Sequence, residues 1–136
     1  MDPDQSQADV KPLHGKLLYI EDDPVHHALV EAMLARSPGI TLLKTTTGRD
    51  GVRLAQSELP DVILLDMNLP DISGLEVVRS LSELIAERRF RVILLTADSF
   101  SIDVVKAMSL GAHEYWVKPI SLDRLLSGLA RALHRA

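Results

Sequence analysis

The chain contains no cysteine, which excludes disulfide frameworks, thiolate catalysis and cysteine-based zinc or iron–sulfur centres. Its longest apolar runs are only a few residues, far short of a membrane span. The acidic opening Met1-Asp2-Pro3-Asp4 lacks the apolar stretch of a secretory signal. No basic block stands out either: 15 basic residues face 19 acidic ones, for a net charge of −4, which disfavours direct nucleic-acid binding. The expectation is a cytoplasmic protein with neither a membrane nor a nucleic acid as direct partner. What is present is ordinary. A content of 46% hydrophobic and 25% charged residues over 136 positions suits one globular domain with one core.

Residues 1–15, rich in Asp, Gln and Pro and without apolar periodicity, read as a loose tail before a domain spanning 16–136. From Lys16 onward, short apolar runs alternate with helical patterns, the sequence form of repeated βα units around a parallel sheet. The runs are Leu17–Ile20, Ile40–Leu43, Val62–Leu65, Val92–Leu95 and Tyr115–Val117. Most are continuous rather than alternating, as strands covered on both faces should be.

Five helical stretches lie between and after them. Asp23-Pro24 reads as an N-cap followed by a first-turn proline, and Leu29, Val30, Met33 and Leu34 form a stripe ending at Ser37-Pro38-Gly39. A second helix should run from Arg49 to Glu58. A third follows Ser73-Gly74 with Leu75, Val77, Val78, Leu81, Leu84 and Ile85. The fourth carries Ile102, Val104, Val105, Met108 and Leu110. The fifth starts at the cap Ser121 and aligns Leu122, Leu125, Leu126, Leu129 and Leu133. The pattern is (βα)5, an α/β doubly wound five-stranded parallel sheet, without internal repeats.

The chemistry is written at the strand ends. The first run ends in Glu21-Asp22-Asp23, the third in Asp66, the fourth in Thr96 and the fifth in Lys118. In an open α/β sheet, ligands bind outside the carboxyl ends of the strands, near the point where strand order reverses, so these side chains can converge. If the first and third strands are neighbours, Asp22 and Asp66 lie side by side with Glu21 near. Carboxylates crowded into one cleft raise one another's pKa unless a cation is present, and a hard divalent ion such as magnesium would relieve them.

These residues carry a resemblance. Glu21-Asp22, the run Val62–Leu65 ending in Asp66, Met67-Asn68-Leu69-Pro70-Asp71 with Gly74, Thr96-Ala97, Gly111-Ala112 and Lys118-Pro119 resemble the receiver domain of bacterial response regulators, from about Lys16 to the C-terminus. The intervals of 44 residues from Asp22 to Asp66, 30 to Thr96 and 22 to Lys118 are similar to the family's. The resemblance implies a flavodoxin-like strand order 2-1-3-4-5 and a two-component phosphorelay function in a protein that is not a conventional enzyme. Asp66 would be the phosphoacceptor, attacking the phosphoryl group of a histidine kinase or histidine phosphotransfer protein. Asp22, Asp66 and the backbone carbonyl of Asn68 would hold Mg2+, with Glu21 acting through bound water. Lys118 would meet a phosphoryl oxygen as a point charge, and Thr96 would hydrogen-bond the group once it has arrived. Thr96 and Tyr115 would form the switch, Asn68 and Asp98 would tune the rate of hydrolysis, and the Lys118-Pro119 bond would be cis. A downstream partner would bind the fourth helix, fifth strand and fifth helix, roughly Ser101 to Arg135, with Lys106, Tyr115, Arg124 and Arg131 as candidate contacts. A phosphorylation-dependent homodimer is a further possibility.

Simpler readings stand beside these. Asp23 is read as a helix cap, Asp66 with Asn68 could close an Asx turn, and a lone Thr96 or Lys118 would be solvated surface. His26 and His27 are adjacent in a helix, point about 100° apart and are expected at the surface near the mouth of the site. Trp116 is expected in the core or under partly covered surface. A flavodoxin-type binder would need a Ser, Thr or Gly-rich loop after the first strand, where Glu-Asp-Asp stands instead. A phosphohydrolase would need an insertion large enough to cap a substrate. Within the receiver reading, a free single-domain regulator is preferred. A receiver cut from a hybrid histidine kinase or longer regulator, and a phosphorylation-independent interaction module, remain as alternatives.

Overall fold

A computed structural model describes residues 12–98 and 101–134. In chain order the elements are β1 (Gly15–Ile20), α1 (Pro24–Met33), β2 (Ile40–Thr45), α2 (Gly48–Glu58), β3 (Val62–Asp66), α3 (Gly74–Ser80), α4 (Ser82–Ala86), β4 (Arg91–Thr96), α5 (Ile102–Ser109), β5 (Glu114–Val117) and α6 (Leu122–Leu133). All strand pairs are parallel, and the order is β2-β1-β3-β4-β5, as expected. Most of the tail read from the sequence lies outside the described residues. Its last part is already built in: Gly15 opens β1, its N–H donates to Gly39 O at 3.1 Å, and Leu13 packs at the edge of the core.

Successive strand residues point to opposite faces, and both faces are buried. Leu18, Ile20, Ile63, Leu65, Val92 and Leu94 meet Ala55, Val77, Val78, Leu81 and Ala107 from α2, α3, α5 and the α3–α4 junction. Leu17, Tyr19, Val62, Leu64, Ile93, Leu95 and Trp116 meet Val30, Leu125 and Leu129 from α1 and α6. Two-sided burial is why the runs read as continuous. Several helices start where short polar side chains satisfy first-turn N–H groups. Asp23 accepts from Val25 N at 2.9 Å, Ser73 from Glu76 N at 3.2 Å and Ser121 from Arg124 N at 3.1 Å.

Two helical expectations need correction. The third helix is two, α3 and α4, broken at Leu81, whose φ of −103° and ψ of 8° leave the helical region. Leu75, Val77, Val78, Leu81 and Ile85 are all buried, so the apolar stripe runs through the break and conceals it. In α1 the buried row is His27, Val30 and Leu34, while Leu29 is 51% exposed. An imidazole occupies a core position that a search for apolar residues passes over, and the expected surface location of His27 is wrong. Its Nε2 donates to Glu21 O at 2.7 Å and Thr45 O at 3.2 Å, and its ring packs edge-on against Tyr19. In α5, Val104 and Ala107 are buried, whereas Ile102 and Val105 face outward.

Trp116 is 1% exposed, as expected of core, and its Nε1 donates to Glu114 Oε1 at 2.6 Å. The indole lies flush against α6 at Gly128, where an added Cβ would stand 2.0 Å from Trp116 Cζ2. Replacing glycine by alanine inside a helix ordinarily stabilises by up to about 1 kcal/mol. Here Gly128→Ala should instead destabilise by about 2 kcal/mol or more, because a buried, hydrogen-bonded ring has nowhere to move. Urea unfolding followed by circular dichroism measures the sign.

Candidate functional site

The sheet order places the ends of β1 and β3 side by side, with β4 and β5 following, so the expected residues share one cleft. It is lined by Glu21, Asp22, Asp66, Asn68, Thr96, Asp98 and Lys118, with Asp23, His26 and Asp103 among the other polar residues at its walls. Ligand atoms of Glu21, Asp22 and Asp66 all lie within 4.8 Å of one another. Asp22 is exposed, whereas Glu21 and Asp66 are buried. Lys118 Nζ bridges the two buried acids, 3.0 Å from Glu21 Oε1 and 3.3 Å from Asp66 Oδ2. The Lys118-Pro119 peptide is cis.

Each group is locally tethered. Asn68 N–H donates to Asp66 Oδ1 at 3.1 Å and Asp22 N–H to Glu21 Oε2 at 3.0 Å. The buried Thr96 hydroxyl donates to Asp98 O at 3.1 Å and accepts from Asp98 N–H at 3.2 Å. Tyr115 lies outside the lining of the cleft and is 43% exposed, its neighbour Trp116 pointing to the opposite face.

The charges are unequal in consequence. Burial, the Glu21 carboxylate beside it and too little compensation push Asp66 up to about 6. Burial would raise Glu21 as well, but Asp66, His26 and Lys118 together hold it down, to about 2. Burial works against the Lys118 ammonium, yet Glu21 and Asp66 raise its pKa overall. Of two buried carboxylates served by one lysine, Glu21 keeps its charge and Asp66 is the one that holds a proton more readily.

Two tertiary contacts were not read from the sequence. His26 Nδ1 lies on Glu21 Oε1, a contact for which His26 as a surface residue gave no signal. Asp71 reaches from the loop after Asn68 to the start of α2, accepting from Gly48 N–H at 2.8 Å and Arg49 N–H at 2.9 Å. Burial opposes its charge, but those amides, foremost Arg49, lower its pKa to about 2. It is a helix-terminal carboxylate supplied from 23 residues away, which a search for local caps cannot find.

With this geometry in hand, comparison with known proteins is decisive. The family model described as the response regulator receiver domain matches residues 17–130. The chain belongs to that family. Among curated relatives, the transcriptional regulatory protein AfsQ1 of Streptomyces coelicolor is 39% identical over 88% of this chain and 51% of its own length. Protein PilH of Pseudomonas aeruginosa is 32% identical over 88% of this chain and 98% of its own. Against AfsQ1 and several other curated relatives, the chain spans about half their length. The receiver domain of the sensor histidine kinase PA1611 from Pseudomonas aeruginosa, solved with magnesium in its active site cleft, superposes with a TM-score of 0.77 at 32% identity. That match covers 88% of this chain and 98% of the other. The receiver of a LuxO repressor protein from Vibrio parahaemolyticus gives 0.78 at 30% identity, over 89% and 91%. The chain is therefore a receiver module of two-component signal transduction. No helix among its described residues is long and apolar enough to cross a membrane.

The raised pKa of Asp66 fixes the sign of a stability experiment. A carboxylate whose pKa is higher folded, at about 6, than its ordinary 3.8 opposes folding once ionised. The penalty is absent below about pH 4, grows to about pH 6 and is constant above. Asp66→Asn removes it. The variant should exceed the wild type in metal-free urea unfolding by about 1–2 kcal/mol at neutral pH, after allowance for solvent screening, and the gain should shrink toward zero near pH 4.

Proposed function

We propose that Asp66 accepts a phosphoryl group from the phosphohistidine of a kinase or phosphotransfer protein, and that the module thereby switches a partner-binding face. The observation that carries this reading is the strand-end cluster itself: a nucleophilic carboxylate with an ammonium 3.3 Å away and two further acids within 4.8 Å. An Asp66 carboxylate oxygen would attack phosphorus, the P–N bond would break, and the electron pair would leave with the imidazole, giving an acyl phosphate. Lys118 would offset charge on a phosphoryl oxygen. Asn68 N–H, already on Asp66 Oδ1, orients the acceptor.

Three oxygen-donor carboxylates, one held ionised and one with its pKa raised by burial and by the neighbouring Glu21, fit a hard divalent cation. Asp22, Asp66 and the Asn68 carbonyl are the residues to hold Mg2+. Glu21, with both oxygens already committed to protein donors, fits a part played through water. Bound there, the ion would supply electrostatic stabilisation of the transferring phosphoryl oxygens.

Thr96 would act as the switch by exchanging its two hydrogen bonds with the Asp98 backbone for one to the phosphoryl group, moving its loop and drawing Tyr115 inward from its exposed position. Asn68 and Asp98 at the cleft walls would set the path of attacking water. The partner-binding face would be α5, β5 and α6, where Ile102, Val105, Tyr115 and Val117 are exposed beside Lys106 and Arg124. Arg131 is less free for a partner, since its guanidinium donates to Glu114 Oε1 at 2.8 Å. Arg135 lies outside the described residues. A phosphorylation-dependent homodimer would use the same face. The free-standing form draws support from PilH, which this chain matches over nearly its whole length. A receiver carried in a longer protein draws support from the relatives of which it spans half.

Intact mass after incubation with acetyl phosphate tests the acceptor. One phosphoryl adduct that needs Mg2+ and is lost in Asp66→Asn is expected. No adduct, together with no response of Trp116 fluorescence to beryllofluoride and Mg2+, would replace this reading with a phosphorylation-independent interaction module. Thr96→Ala should still take up the phosphoryl group while losing the change at Tyr115, read from that ring's NMR signals with and without beryllofluoride.

A further inference from the structure

The Glu21 side chain is only 1% exposed, so protein donors must meet its carboxylate. Oε2 accepts from Asp22 N–H at 3.0 Å, while Oε1 accepts from both Lys118 Nζ, at 3.0 Å, and His26 Nδ1. An ionised carboxylate only accepts, so Nδ1 carries the hydrogen of that contact. The amide is fixed by the backbone. Lys118 is not: the same Nζ stands 3.3 Å from Asp66 Oδ2. A phosphoryl group on Asp66 brings roughly −1.5 to −2 charges beside that ammonium, and each shift of Nζ toward it weakens a donor on Oε1. The cost of stripping a buried carboxylate of a charged donor then opposes the shift. His26, in the first turn of α1 and so rooted on a different element, is the donor that stays on the same oxygen.

We propose that His26 is a positioning residue: by holding Glu21 Oε1 from α1, it frees Lys118 to follow negative charge onto Asp66. The inference rests on the receiver reading above. It assigns His26 no contact with the reacting atoms. Its Nε2 faces Asp23 Oδ2 at 3.7 Å. A ring 39% exposed is also open to replacement without cutting into the core.

The test is a double-mutant cycle read by calorimetric titration of beryllofluoride with saturating Mg2+. His26→Val should weaken beryllofluoride binding about 3–10-fold and slow phosphorylation by acetyl phosphate by a similar factor. His26→Gln, which keeps an N–H donor, should stay within about 2-fold of wild type. In a Glu21→Gln background there is no buried charge to hold, and His26→Val should then have less than about a 2-fold effect. Equal binding by wild type and His26→Val would overturn the proposal. So would a loss that persists in the Glu21→Gln background, which would mean that His26 acts by packing or by touching the ligand directly. Thermal melts of each variant separate these results from misfolding, and His26→Leu, which also lacks a donor, stands in if Val does not fold. A wild type that neither binds beryllofluoride nor takes up phosphate would instead overturn the receiver reading, and this proposal with it.

Discussion

One ammonium serving two buried carboxylates is the constraint around which the cleft is arranged. Lys118 joins Glu21, 97 residues away in sequence, to Asp66 on the central strand, and so ties the ends of β1, β3 and β5 into one electrostatic unit. There is too little positive charge for both acids. The deficit is resolved by geometry: Glu21, with an amide, an ammonium and an imidazole, stays ionised, while Asp66, with one amide and half a lysine, carries the strain. A carboxylate left short of compensation is also the one most ready to gain from a cation. The same shortage that destabilises the fold therefore poises the site for binding, the usual relation between an active site and the scaffold that supports it.

That shortage is tolerable because the scaffold beneath it is unusually uniform. The residues preceding Glu21 and Asp66 in β1 and β3, from Leu17 to Ile20 and from Val62 to Leu65, are almost wholly buried, and β1 is flanked by β2 and β3. A parallel sheet covered on both faces holds its carboxyl ends in fixed register, so Glu21 and Asp66 cannot drift apart to lessen their repulsion. Thr96 ends a rigid strand, but its hydroxyl is bonded to Asp98 in the loop that follows, and α5 beyond it turns Ile102 and Val105 outward. A charge change at the cleft thus acts above a stiff floor.

How much of this the sequence could show depended on whether a feature was local. Four continuous apolar runs, each closed by a polar residue or the residue before one, specified the sheet and the convergence of Asp22, Asp66, Thr96 and Lys118, because two-sided burial and strand ends leave marks on adjacent residues. The family resemblance supplied the strand order that pattern alone left open. What escaped was non-local or chemically disguised. The buried row of α1 includes His27, whose ring is core by position and polar by composition. The break at Leu81 sits inside an unbroken apolar stripe, since periodicity records which face is buried and not whether the helix is continuous. Asp71 caps a helix 23 residues upstream, and the need for glycine at 128 exists only because Trp116 lies across that helix.

His26 belongs to both categories, and it shows why a site is more than its signature residues. Adjacent to a core histidine and three residues past a capping aspartate, it has no spacing that marks it as functional. Its position nonetheless follows from elements that were legible: Asp23 and Pro24 start α1 immediately after β1, which turns the first helical residues back over the strand end where Glu21 lies. Any side chain at position 26 would border the cleft, and one with an N–H donor can share the charge of Glu21. In the reading proposed above, the residue at 26 decides how firmly Lys118 is held on Glu21 before charge arrives on Asp66. Receivers of one fold and one set of reacting residues can therefore differ in rate through a neighbour of the buried acid, without any change in the groups that touch phosphorus.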